Sequence, residues 1–365
     1  MARAHINAVG VATPPHDVHA AFRLLIEQLL ETPRDKALFG RMADRAGIEH
    51  RFSYCQPVIE RGRVVSDAAG LYSLEAFPST AARMRKFETH APQLALKAFS
   101  DIPIEVERER ITHLVVASCT GFVAPGVDQL LVKALGLDPG VERTVVGFMG
   151  CYAAVSALRL AHHFVRSEPA ARVLVVNLEL CTLHFQKELA LQKILQMLLF
   201  GDGCSAALVT AEERGLALVD FRAATIADSA EAITWRIGDA GFDMHLSGEV
   251  PHKIAQALAI ERARNDVGGL LRGHAVEDFG AFAVHAGGRS ILDAVESGLQ
   301  LAPTALAWSR DVLRDFGNMS SATLMFILRR ILDDFRPDAA RSGDGFAVAF
   351  GPGLAAESFR FQVLT

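Results

Sequence analysis

The sequence is poor in cysteine, and none of its cysteines falls in a pattern that commits it to a metal site or a disulfide framework. Five occur, at 55, 119, 151, 181 and 204. The count is odd, there is no CxxC pair, and no Cys/His spacing suits a zinc ligand set, so reduced thiols in a cytoplasmic protein are expected. Charge of one sign is missing as well: Lys and Arg total 37 against 42 Asp and Glu, a net charge of −5 with a pI near 6.2. That balance gives no footprint for nucleic acid or an anionic membrane surface, so an anionic ligand has to be met by local cations. Long apolar runs are absent. The uncharged run through the cysteine at 151, Thr144 to Leu158, is 15 residues broken by glycines, too short for a membrane span. No secretory apolar core follows MARAHINAVG, and no low-complexity tract or long linker appears. What is present is 365 residues, half of them hydrophobic, enough for a large core and for two domains or two fused halves.

The stretch RTVVGFMGCYAAVSALRLAHHF, Arg143 to Phe164, carries the first chemical signal. Thr144 to Phe148 reads as a short buried strand, and Ala154, Ala157, Leu158 and Ala161 recur at helical spacing. Gly147 and Gly150 supply the turn between them, which puts Cys151 where a helix begins. Unpaired N–H groups and the positive dipole end there are expected to lower a thiol pKa and to make Cys151 a nucleophile for acyl transfer. The competing reading is a small core residue, the usual fate of a cysteine among Val, Phe, Met and Ala.

Strands are expected at Ile6–Val11, Thr112–Ser118, Arg172–Asn177 and, after a turn, within Phe200–Thr210, with helices at Val18–Leu30, Lys36–Ala46 and Thr80–Phe99. Tyr54–Pro78 is rich in turn residues and reads as a surface excursion. A shift in composition at Thr210–Gly215 marks a seam. Beyond it, Leu216–Ala227 and Ala232–Ile237 look strand-like and Val250–Leu271 helical. Ala281–Val284 leads into a glycine turn and a helix, much as the cysteine turn does. Trp308–Phe316 and Ser320–Phe335 are helical, and Gly345–Phe350 and Glu357–Leu364 flank a GPG turn. This alternation argues for a layered α/β fold with strands buried on both faces.

His285 closes a buried strand just before Gly287-Gly288, and Asn318 sits in GNMSS before a helix. Strand ends and helix starts are where α/β folds gather reactive groups, although a core histidine and an N-cap are the plainer roles for the two. Arg41 and Arg45, four apart on one helix, form either a phosphate clamp or a solvated basic edge.

The chain resembles the type III polyketide synthases, the chalcone-synthase-like ketosynthases of the thiolase superfold, over nearly its whole length. Six motifs in the family's order carry the resemblance: ITHLVVASCTGFVAPGVDQLLVKALGL at 111–137, GFMGCYAAVSALRLA at 147–161, LFGDG at 199–203, HAGGRSILDAVESGL at 285–299, GNMSSAT at 317–323 and FGPG at 350–353. It implies a thiolase-like αβαβα fold of two pseudo-repeated halves, 1–215 with the nucleophile and 216–365 with the histidine and asparagine. Cys151, His285 and Asn318 are then a catalytic triad, Phe200 a gatekeeper, and Arg41 and Arg45 contacts to CoA phosphates, with Leu38 where a third cation is usual and Lys36 nearby. HAGG stands for the family's HPGG, a loss of rigidity at Ala286 without loss of a functional group. The substrates implied are an acyl-CoA starter and malonyl-CoA, with no metal or other cofactor, in a homodimer whose Ala124-Pro125 loop approaches the partner's cavity.

The implied cavity differs from the plant pattern: Trp235 replaces a glycine, His184, Cys119 and Cys181 replace threonines, and Met244 replaces a second gatekeeper phenylalanine, while Ser320 keeps a small residue. Glu179 is expected to close a buried polar network. A chamber filled this way suits a fatty acyl starter diverted into a side tunnel, giving an alkylpyrone or alkylresorcinol, or else a small starter with a short pyrone or malonyl-derived aromatic product. A ketoacyl-carrier-protein synthase and a catalytically silent acyl-CoA-binding protein are the alternatives outside this branch; the FGPG and GNMSS motifs and the intact triad speak against them.

Overall fold

Consecutive apolar residues build the strands at the centre of the molecule, because both of their faces are covered. In His113–Ser118 and Val173–Leu180, Leu114, Val116, Leu174 and Val176 join one core, while Val115, Ala117, Val173 and Val175 join another. The structure is a computed structural model describing residues 2–73, 76–188, 190–336 and 342–364. One sheet of nine strands runs in the order Ala281–Val284, Asp344–Gly351, Ala355–Val363, Leu216–Thr225, His5–Ala12, Asp202–Thr210, Val173–Leu180, His113–Ser118, Glu142–Gly147. His5–Ala12 joins the two halves: it pairs antiparallel with Asp202–Thr210 over its length and with Leu216–Thr225 at its start. Helices Ala153–Ser167 and Ser321–Asp334 pack between strands of both halves, Thr80–Ser100 and Val127–Leu135 cover the first half, and Val250–Arg262 lies on Arg289–Leu299 in the second. This is the layered α/β arrangement expected.

Several expected elements are corrected. Glu142–Gly147 is an edge strand, not a buried one, and Val145 is 55% exposed. The helix from Val250 stops at Arg262, because Asp266 and Gly268-Gly269 turn the chain there, with the Asp266 carboxylate accepting from the Gly268 N–H at 2.7 Å. The helix bearing Arg41 and Arg45 begins at Pro33, three residues early: Thr32 caps it by accepting from the Asp35 N–H at 3.0 Å, and Gly47 (φ 68°) ends it. Two hairpins and a helix add to the reading: Pro57–Glu60 with Arg63–Asp67, Ile233–Gly238 with Gly241–Leu246, and Leu191–Leu199. The Ala124–Pro125 peptide is cis.

Candidate active site

The turn that presents Cys151 is fixed by packing from the far end of the chain. Gly150 adopts φ 74°, and a Cβ there would stand 2.4 Å from Pro352 of the FGPG motif, so only glycine lets the two turns close on each other. Cys151 lies in the 3₁₀ turn Gly150–Tyr152 that leads into Ala153–Ser167, the helix-start position expected. The expected lowering of its pKa is not found: burial dominates and pushes the resting thiol up to about 11, against hydrogen bonding from Ser320 and Asn318.

Asn318 is held by backbone on both sides. Its N–H donates to Leu199 O at 2.8 Å and its carbonyl accepts from Gly201 N–H at 3.0 Å, so Phe200 lies beside it in a short parallel bridge. Its side chain donates to Gly287 O at 3.1 Å and accepts from Ser320 N–H at 2.8 Å. Through Gly287 the amide meets the turn that follows His285. The His285 backbone N–H donates to Val348 O at 2.9 Å, which anchors the residue to the neighbouring strand. Its ring is 1% exposed and neither ring nitrogen has a hydrogen-bond partner within the protein. Burial lowers its pKa to about 3, so the resting imidazole is neutral. A neutral ring with unsatisfied nitrogens is suited to accept a proton or to donate to an oxyanion when substrate arrives.

Cys151 opens on a narrow chamber. Cys119, Cys181, His184, Trp235 and Ser320 line it, with Phe200 and Met244 as further walls, so every expected cavity residue borders one space. Trp235 Nε1 donates to Cys119 O at 2.8 Å. His184 is a fixed wall: Nε2 donates to Thr120 O at 2.7 Å, Nδ1 accepts from Phe242 N–H at 3.0 Å, and the ring stacks on Phe242 at 4.1 Å. Burial lowers its pKa to about 3, consistent with a neutral wall residue. Beneath them Glu179 closes the expected polar network, accepting from Cys119 N–H at 3.0 Å, Thr120 Oγ1 at 2.8 Å and Ser321 Oγ at 2.5 Å, and the Cys119 thiol also meets Ser320 Oγ at 3.3 Å.

Two further spaces lie nearby, of which one shares residues with the chamber. An apolar cavity shares Cys181, Met197 and Phe200 with it, and is walled by Phe22, Val64, Tyr72 and Phe185 among others. Within the Tyr54–Pro78 segment, expected as a surface excursion, Val64, Tyr72 and Phe77 build an inner wall, while residues 59–63 and 68–70 stay exposed. Met197, Tyr72 and Val64 were outside the expected site; the one signal for Val64 and Tyr72 was isolated apolar side chains among turn residues, and Met197 lies in the apolar helix Leu191–Leu199. A wider groove of about 1810 Å³ is bordered by Arg45, Leu199, Gly287 and Gly288. Arg45 thus borders the groove, whereas Arg41 is exposed and does not border it.

Comparison with known proteins places the chain in a family. Residues 1–213 match the N-terminal domain of chalcone and stilbene synthases and residues 218–365 match the C-terminal domain. The chain is 35% identical to bisdemethoxycurcumin synthase of Oryza sativa over 97% of its length and 91% of that protein. It is also 35% identical to the alpha-pyrone synthesis polyketide synthase-like Pks18 of Mycobacterium tuberculosis, covering 77% of this chain and 73% of that one. The crystal structure of PKS-I from the brown alga Ectocarpus siliculosus superposes with a TM-score of 0.84 at 27% identity, over 100% of this chain and 99% of that one. The chain belongs to the chalcone and stilbene synthase family: it is a type III polyketide synthase, an acyltransferase on the thiolase-like fold.

Proposed function

We propose that this enzyme extends a fatty acyl starter, loaded from its CoA thioester onto Cys151, with malonyl units and closes the product to an alkylpyrone or alkylresorcinol. The apolar cavity that shares Cys181, Met197 and Phe200 with the chamber carries this reading, because it sets an apolar space suited to a long alkyl chain beside a chamber that Trp235 and His184 wall. His285 takes the Cys151 proton as the starter loads and free CoA leaves. Malonyl-CoA then loses carbon dioxide, the enolate oxygen is held by the His285 ring and the Asn318 amide, and the carbanion attacks the thioester with departure of the Cys151 sulfur. The extended chain returns to the cysteine for the next round. The cycle uses no metal and no redox cofactor, and we place the enzyme in the cytoplasm as a homodimer.

Two observations favour a second reading, a small starter and a short aromatic or pyrone product: the indole and imidazole that fill the chamber wall, and the similarity to bisdemethoxycurcumin synthase. Incubating the enzyme with malonyl-CoA and starters from acetyl-CoA to stearoyl-CoA, with products identified by mass spectrometry, separates the two. Long starters giving alkylated pyrones or resorcinols are expected. Turnover of short starters alone overturns the fatty acyl assignment.

A further inference from the structure

The groove outside Gly287 carries a second basic side chain that the family resemblance does not assign. We propose that Arg289, together with Arg45, binds phosphate of the coenzyme A thioester at the mouth of the active site; this rests on the reading of CoA thioesters as substrates. Arg289 opens the helix Arg289–Leu299 and borders the same groove as Arg45. Its Nη1 donates to the Arg45 backbone carbonyl at 3.3 Å, which ties the end of one helix to the start of the other and places both basic residues on one rim.

The charge of Arg289 is lightly committed. Its nearest acid, Asp293, stands 3.9 Å from Nε and is already paired with Arg310 at 2.8 Å, while Arg310 also holds Glu296 at 2.7 Å. Arg45 forms no ion pair among the described residues. The helix start adds to the field: Gly288 provides no side-chain cap, and the first turn has no acidic residue. The groove also borders Gly287 and Gly288, the turn that follows His285. A Cβ at Gly287 would lie 3.7 Å from His285 Nε2, so the glycine leaves the floor open toward an imidazole that is buried and without a hydrogen-bond partner. A thioester reacting there leaves its phosphates at the rim. Arg289 supplies charge to that rim from the helix opposite Arg45.

Isothermal titration of the full-length enzyme with coenzyme A, 4′-phosphopantetheine and pantetheine tests this, with Arg289→Ala and Arg289→Lys beside the wild type. Arg289→Ala is expected to weaken coenzyme A about tenfold, as for one charge-assisted contact, and to leave pantetheine unchanged, while Arg289→Lys recovers part of the loss. In the condensation assay KM for the CoA thioesters rises and kcat holds. A loss shared by 4′-phosphopantetheine puts the arginine on a phosphate that a carrier protein also presents, and a loss confined to coenzyme A puts it on the nucleotide's own phosphates; either bears the subsite out. Equal coenzyme A binding by wild type and Arg289→Ala overturns it while leaving polyketide synthesis intact. A wild type that binds no coenzyme A removes the CoA reading and this inference with it.

Discussion

Asp202 is a carboxyl that its surroundings keep from ionising. It is fully buried at the start of its strand and accepts from the Thr182 N–H and hydroxyl, both at 2.7 Å, yet burial outweighs these donors and the Arg51 charge and pushes its pKa up from 3.8 to about 7. The folded state therefore holds this proton more tightly than the unfolded chain. Its contribution is fully present below about pH 4 and is lost as pH rises through about 7. Asp202→Asn keeps the shape and removes the titration. Urea unfolding at stepped pH should show wild-type stability falling relative to the variant across that window, and parallel curves would show the group to be ionised throughout. Such a shift was not legible in LFGDG, and neither was that of Cys151. The positions of Cys151, His285 and Asn318 could be read because each sits on a turn with its own motif, but their protonation depends on walls contributed by distant residues. The helix start at Cys151 was placed correctly, and burial reversed its expected effect.

At the scale of elements, the hairpin of Pro57–Glu60 and Arg63–Asp67 shows why a wall can escape a sequence reading. Its strands are short and shift register between Val58 and Ile59, so period-2 alternation never develops. Only the packed structure shows Val64 turned into the apolar cavity while Ile59 stands 52% exposed. The two positions make a matched pair of variants. Val64→Trp should fill the space assigned to the starter chain, and stearoyl-CoA turnover should drop by about tenfold or more, the scale of losing several buried methylenes, while acetyl-CoA turnover is kept. Ile59→Trp, on the outer side, should change neither. If Val64→Trp leaves the long starters unaffected, the chain runs elsewhere. By contrast, the strands His113–Ser118 and Val173–Leu180 were legible because burial on both faces leaves apolar runs within them, at residues 114–117 and 173–176.

For the whole molecule, the misread edge strand matters most. Glu142–Gly147 resembled a buried strand because its valines are those of one, yet it ends the nine-stranded sheet with Val145 uncovered. An apolar residue on an open edge invites another strand. Phe122, 45% exposed, lies against it: a Cβ on Gly147 would come within 3.3 Å of the Phe122 ring. The same ring is 6.4 Å from Phe242, and Phe242 stacks on the His184 wall of the chamber. A second copy of the chain seated on this edge would thus bear on the chamber through three aromatic rings. Val145→Lys adds a charge to an exposed edge position, where lysine is compatible with folding and opposes pairing. The expected outcome is a monomer by light scattering with an unchanged circular dichroism spectrum, and with activity down by on the order of tenfold to a hundredfold, as the wall loses its backing and the reacting groups drift. A variant that remains dimeric places the interface elsewhere; a fully active monomer shows that the chamber holds its shape without a partner.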